Sequence, residues 1–225
     1  MGQDIARIDY TDSADGVLLL EPTSTNSITY SEDLSNSYWT KSNATVTGGF
    51  LAPDGTTNAY KLVENTSNGQ HQITPSTSNG ANAVRTISFF VKTDGVSKIG
   101  FRNNDGKYIT YDIVNNITLD KTLGNDFVSS DLNNGWKKLS FVLDSTTVIT
   151  GGRIFLLNDA YTTGNPITYS YTGDGASGIY LWGVQVEQLS YPTSYIATSG
   201  SAVTRAVETC SNSGNSEVFN DSEGV

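Results

Sequence analysis

Eight Asp–Gly or Asn–Gly pairs punctuate the 225-residue chain, at Asp15, Asp54, Asn68, Asn79, Asp94, Asp105, Asn134 and Asp174. Such pairs tolerate the positive φ angles that tight hairpins demand. A chain interrupted this often has little room for long helices. Between the turns lie short runs of period-two patterning, at residues 85–93 (RTISFFVKT), 107–115 (KYITYDIVN), 136–144 (WKKLSFVLD), 153–159 (RIFLLND) and 177–188 (SGIYLWGVQVEQ). Weaker runs occupy 27–31, 58–64, 70–74 and 167–171. No segment carries a sustained 3.6-residue apolar stripe, and the one helical turn expected is near 33–38. Many short strands spaced by turns predict an all-β sandwich or barrel of antiparallel strands.

Composition narrows the function classes. The net charge of −10 argues against nucleic acid, which needs clustered Lys and Arg, and against docking on an anionic bilayer. No apolar stretch reaches the length of a membrane span, so membrane insertion is not expected. Residues 1–15 are polar and acidic and do not read as a secretory leader. A single Cys, Cys210, cannot build an internal disulfide scaffold. Residues 199–225, rich in Ser, Asn, Glu and Gly, read as a linker.

Four stretches then stand in a telling order: 28–40 (ITYSEDLSNSYWT), 53–62 (PDGTTNAYKL), 179–187 (IYLWGVQVE) and 191–205 (YPTSYIATSGSAVTR). Together they resemble a module of bacteriophage tail-fibre, head-fibre and related surface proteins, itself similar to jelly-roll carbohydrate-binding modules. The resemblance implies a jelly-roll-like β-sandwich over 27–198, a lead-in segment over 1–26 and a linker over 199–225 to a downstream domain. It also implies a virion-surface or extracellular location and a homotrimer in the parent fibre, although no coiled-coil heptad is present to enforce one. Related modules hold a structural calcium with oxygen ligands in the turn after the first strand, where Glu32 and Asp33 lie. They also carry an Asp pair on the last strand, where this chain has Trp182 and Gly183.

The residues themselves suggest recognition rather than turnover. One His and one Cys exclude zinc-type clusters. The acids sit mostly in turns, and Ser–His–Asp chemistry would have to use His71, which alternation places on a solvent-facing edge strand. Sugar recognition instead needs aromatic faces and planar hydrogen-bonding groups. Arg102, Tyr111, Arg153 and Asn158 are polar positions inside apolar strands and are expected to line an open sheet face. Trp182 and His71 complete the candidate set, although both faces of the strand that carries Trp182 are apolar and it reads at least equally well as a core residue. Trp136 and Trp39 are expected to pack in the interior. The expected function is therefore a non-catalytic module for an oligo- or polysaccharide. Two alternatives stay open, a ligand-free fibre spacer and a glycan lyase or hydrolase.

Overall fold

The computed structural model describes residues 8–9, 17–18, 20–76, 78–79, 83–122, 127–145, 149–150 and 152–209; Cys210 and the rest of the expected linker lie outside these, as does most of the lead-in. Two compact units are present, Met1–Ser24 with Arg205–Val225 and, between them in sequence, Thr25–Thr204. Within the first, Arg205 pairs with Glu21 at 2.8 Å and Glu208 exchanges backbone and side-chain hydrogen bonds with Glu21.

The second unit is the antiparallel sandwich. Among the described residues, strands of four or more residues build two six-stranded sheets. In chain order they are β1 (Trp39–Ser42), β2 (Ala44–Phe50), β3 (Ala59–Glu64), β4 (His71–Pro75), β5 (Ala83–Asp94) and β6 (Lys98–Arg102), then β7 (Tyr108–Asp112), β8 (Ile117–Lys121), β9 (Phe127–Asp131), β10 (Lys137–Ser145), β11 (Arg153–Leu157) and β12 (Gly178–Glu187). Sheet I has the order β9-β10-β5-β12-β3-β2, and sheet II the order β8-β7-β6-β11-β4-β1. Glycines 55, 95, 106, 135 and 175, which follow five of the Asp or Asn turn residues, adopt φ between 77° and 92°. The turn chemistry read from the sequence is thus the chemistry used.

The main core lies between the sheets. Sheet I contributes Phe89 and Val91 of β5, Phe141 of β10 and Leu181 of β12, while sheet II contributes Phe101 of β6 and Ile154 of β11. Phe101 and Phe141 meet across the interface with ring centroids 4.3 Å apart. Each such side chain withdrawn from water contributes roughly 1.5–3 kcal/mol.

Strict alternation along β12 would place Tyr180, Trp182 and Val184 on one face. It fails at Gly183, whose φ of +62° accompanies a register shift against β5 between Ser88 and Phe90. This bulge inserts one residue and reverses the side-chain parity. Val184 and Val186 therefore join Ile179 and Leu181 in the main core, while Tyr180 and Trp182 face outward.

Outward does not mean exposed. Trp182, Phe90 and Trp136 form a second buried cluster on the outer face of sheet I, covered by Tyr195, whose ring lies 4.5 Å from that of Trp182. The Trp182 indole N–H donates to Asn58 Oδ1 at 2.7 Å. Trp39 is interior as expected, its indole N–H donating to the Tyr30 carbonyl.

Some elements differ from expectation. Residues 27–31 form only a single bridge, Tyr30 to Ser199. Residues 167–170 form no strand, because Asn165 caps a short 3₁₀ turn at Pro166–Thr168, and only Tyr171–Thr172 pairs, with Asn68–Gly69. The expected helical turn at 33–38 is a pair of tight turns organised by the Asp33 carboxylate. Gly200 N–H donates to the Thr29 carbonyl and the Thr25 and Thr204 hydroxyls meet at 2.8 Å, within the stretch expected to be linker.

Trp182→Ala should destabilise the sandwich by roughly 3–5 kcal/mol through the cavity it leaves. Chemical denaturation of the variant measures this, and a loss below about 1 kcal/mol would contradict the buried assignment.

Candidate functional site

The outer face of sheet II is a grid whose rows follow from strand register. Ile99 and Phe101 point into the core, so Lys98, Gly100 and Arg102 point outward. The same argument turns Arg153, Phe155 and Leu157 outward from β11, Tyr108 and Thr110 from β7, and Gln72 from β4. One row therefore reads Tyr108–Arg102–Arg153. The next reads Thr110–Gly100–Phe155–Gln72–Ser42, and a third reads Asp112–Lys98–Leu157.

Residues 158–172 cover part of this grid. Pro166 packs directly over Gly100, where a Cβ would come within 2.9 Å of the proline ring. Tyr161 joins Phe155 and Leu157 in a third buried cluster, with Ile167 and Tyr169 packed against it. Lys98 Nζ clamps the start of the cover, donating to the carbonyls of Asp159 and Tyr161 at 2.7 and 2.8 Å. Asp120 Oδ2 clamps its middle, accepting from Gly164 N–H, the Thr163 hydroxyl and the Tyr108 hydroxyl at 2.9–3.1 Å. Burial raises the pKa of Asp120, but these donors outweigh it and hold the carboxyl below its ordinary value.

The Tyr108–Arg102–Arg153 row lies beyond the packing contacts of the cover, and Arg102 within it and Gln72 beside it are under-satisfied. Arg102 and Arg153 are direct cross-strand neighbours, both half-buried, and among the described residues neither makes an ion pair. Like charges set directly opposite in a sheet are destabilising. The Arg102 guanidinium is shifted below its ordinary pKa by burial and then by the Arg153 charge, although it stays protonated at any ordinary pH. Arg102 Nε and Gln72 Oε1 are both buried with no hydrogen-bond partner. An unmet buried donor or acceptor costs about 1–3 kcal/mol.

The structure sorts the residues expected at the site. Arg102 and Arg153 are brought together on the open row, whereas Asn158 follows Leu157 at the opposite end of β11, at the start of the cover, and accepts from the Tyr169 hydroxyl. Tyr111 is corrected to a core residue: alternation on β7 places it with Ile109, and it is 3% exposed. Trp182 is corrected likewise, because Tyr195 closes over it. His71 is not solvent-facing either. It is fully buried, with Nδ1 2.7 Å from the Asn43 carbonyl oxygen and Nε2 3.1 Å from that of Tyr171. Both ring nitrogens are thus engaged by backbone, which leaves none to activate a nucleophile. The sequence reading missed Gln72 and Tyr108. Their signal was present in the alternation of β4 and β7, given the correct inward set.

Glu32 and Asp33 are occupied as turn ligands. Asp33 Oδ1 accepts from the Ser35 and Asn36 amides and the Tyr60 hydroxyl, and the Ser35 hydroxyl does most to hold its carboxyl below the ordinary pKa. Glu32 Oε2 accepts from Asn58. Among the described residues, no three His, Cys, Asp or Glu side chains gather as a metal site.

The far end of the cover supplies a pH test. Asp174 accepts from the Ser177 hydroxyl and from the amides of Ser177 and Ala176, which lowers its pKa from 3.8 to about 2. A depressed folded-state pKa contributes stability above the unfolded value, and that contribution is lost as pH falls through the folded value. Asp174→Ala should therefore lower Tm at pH 7, and the difference from the parent should shrink as pH falls from about 4 towards 2. A pH-independent difference would contradict this assignment.

No protein-family model matches the chain, and no curated protein matches it. Among solved structures it is similar to the CBM22-1 xylan-binding domain of Xyn10C from Paenibacillus barcinonensis, with 15% identity and a TM-score of 0.37 over 75% of this chain and 94% of that one. It is also similar to the CBM22-1–GH10 modules of Clostridium thermocellum xylanase 10B in complex with xylohexaose (12%, TM-score 0.41, 79% and 30%). A carbohydrate esterase of the Shiga toxin-encoding bacteriophage phi24B is similar at 16% identity and a TM-score of 0.38, over 73% and 96%.

Proposed function

We propose that the chain is a non-catalytic carbohydrate-recognition module whose binding surface is the uncovered row of sheet II. One observation carries this reading: Arg102, set directly opposite Arg153, and Gln72 in the adjoining row each present a buried polar atom with no hydrogen-bond partner among the described residues. A ligand rich in hydroxyls supplies both acceptors for the guanidinium donors and donors for the Gln72 amide oxygen. The half-buried Tyr108 ring beside Arg102 offers an apolar flank for the C–H face of a sugar ring. Because these groups stand on strands, binding would order little that is not already ordered.

The non-catalytic part of the reading is supported by His71, the single histidine, which is sealed in the interior between two carbonyl groups. The order of the four motifs between residues 28 and 205 supports placing the module on a phage fibre or another extracellular surface.

A glycan array probed with the whole chain tests the proposal. The parent protein should retain at least one glycan, and Arg153→Ala and Gln72→Ala should each lose that retention. Their circular dichroism should be unchanged and neither should lose more than about 0.5 kcal/mol of stability, since neither side chain packs in the core. Retention of no glycan would leave a ligand-free spacer, and release of products from a retained glycan would identify an enzyme.

A further inference from the structure

The arginine pair narrows the class of sugar. Several lysines of the sandwich find oxygen partners within the protein. Lys61 pairs with Asp94 and Lys137 with Asp131, while Lys41 and Lys98 donate to pairs of backbone carbonyls. Arg102 and Arg153, both half-buried, make no ion pair among the described residues, although the chain holds 23 acidic residues against 13 Lys and Arg. With acids so plentiful, two adjacent guanidinium groups that meet no carboxylate among the described residues are a feature of the site and not a shortage of partners.

We infer that this row recognises an acidic saccharide, with an oxyanion of the sugar, carboxylate or sulfate, seated across Arg102 and Arg153. The inference rests on the reading of the row as a glycan site. Adjacent strands stand roughly 4.8 Å apart, so two cross-strand guanidinium forks can reach one planar carboxylate or one sulfate from both sides. Charge-assisted, bidentate bonds of this kind are the strongest available to Arg. The ligand would also relieve the like-charge opposition within the pair and give Arg102 Nε an acceptor. Gln72, on the neighbouring strand, would take a ring hydroxyl. The net charge of −10 repels polyanions at long range, so retention of an acidic polymer would report a local site and not general electrostatic adsorption.

The experiment measures Kd of the whole chain for polygalacturonate, hyaluronate and alginate, for carrageenan and dextran sulfate, and for neutral xylan, galactan and amylose. The carboxylated polymers are also tested after chemical reduction of their carboxyl groups, which keeps the backbone and removes the charge. At least one acidic polymer should bind, and carboxyl reduction should weaken a carboxylated ligand at least tenfold. Binding confined to the sulfated arm would identify sulfate as the oxyanion. Arg102→Gln and Arg153→Gln should each weaken binding at least tenfold, while Lys92→Gln, on the outer face of the opposite sheet, should have no effect. The reduced polymers test the charge requirement on the unaltered protein, so the answer survives even if an arginine variant folds poorly.

Equal affinity for reduced and unreduced polymers, or binding to neutral polymers alone, would overturn the acidic-sugar inference and leave the glycan site standing. Unchanged affinity of both arginine variants for an acidic polymer would also overturn it. Binding to no polymer of any charge would remove the inference together with the glycan reading.

Discussion

The central pairing of β5 with β12 decides which side chains the molecule has left for other purposes. Both strands run through the middle of sheet I, so each carries one face into the main core and the other towards an outer layer. The bulge at Gly183 sets the parity of β12. Upstream of it Trp182 faces outward, and downstream Val184 and Val186 return to the interior. A side chain at Gly183 would have to adopt a positive φ and would approach the Phe90 ring to 3.0 Å. Without that glycine, either Trp182 or the two valines would face the wrong layer.

A two-sheet sandwich has two outer faces, and this chain closes much of both with non-strand segments. Over sheet I, Tyr195 lies on Trp182 and Phe90, and the buried Glu187 holds the segment by accepting from the Thr193 amide and hydroxyl. Over sheet II, Pro166, Ile167 and Tyr169 lie on Gly100, Phe155 and Leu157. In both cases aromatic and aliphatic side chains that would otherwise be exposed become small cores of their own. The Arg102 row is polar, offers such a cover little apolar area to bury, and stays open. Where the molecule is open is therefore set by where its outward residues are poor in carbon.

Much of this was legible in the chain. The turn pairs located most hairpins, and period-two runs located the long strands β5, β10 and β12. The strands missed were β1, β2, β8 and β9. In β2 and β9 small polar residues such as Thr47, Gly48, Ser129 and Ser130 break the hydrophobic alternation, because both strands lie on sheet edges with limited burial. At the site, Arg102 and Arg153 were found because arginine inside an apolar strand is conspicuous. Tyr111 and His71 were misplaced for a common reason. Polar tips made them look outward-facing, whereas the fold buries each ring and satisfies its polar atoms locally, Tyr111 with Asn116 and His71 with two carbonyls. Alternation gives two faces without saying which is inner. For short strands only the partner strands settle that.

The buried polar network around Glu64 explains how an open row can sit beside a cover without being closed by it. Glu64 is 5% exposed and would be costly to bury alone. It accepts from the Tyr171 hydroxyl at 2.5 Å and from the Asp174 amide at 2.9 Å, and burial together with this bond drives the Tyr171 pKa strongly upward. Tyr171 in turn offers its carbonyl to His71, and Gly173 passes where any side chain would strike the Asn65 carbonyl. The far end of the cover is thereby fixed to β3 and β4, as its near end is fixed by Lys98 and its middle by Asp120. A segment held at three points has little freedom to slide along the sheet. Such a network is stabilising only when every member is bonded, and its contribution here is positional. It keeps Pro166 over Gly100 and one row short of Arg102, so the guanidinium pair stays accessible and already oriented before any ligand arrives.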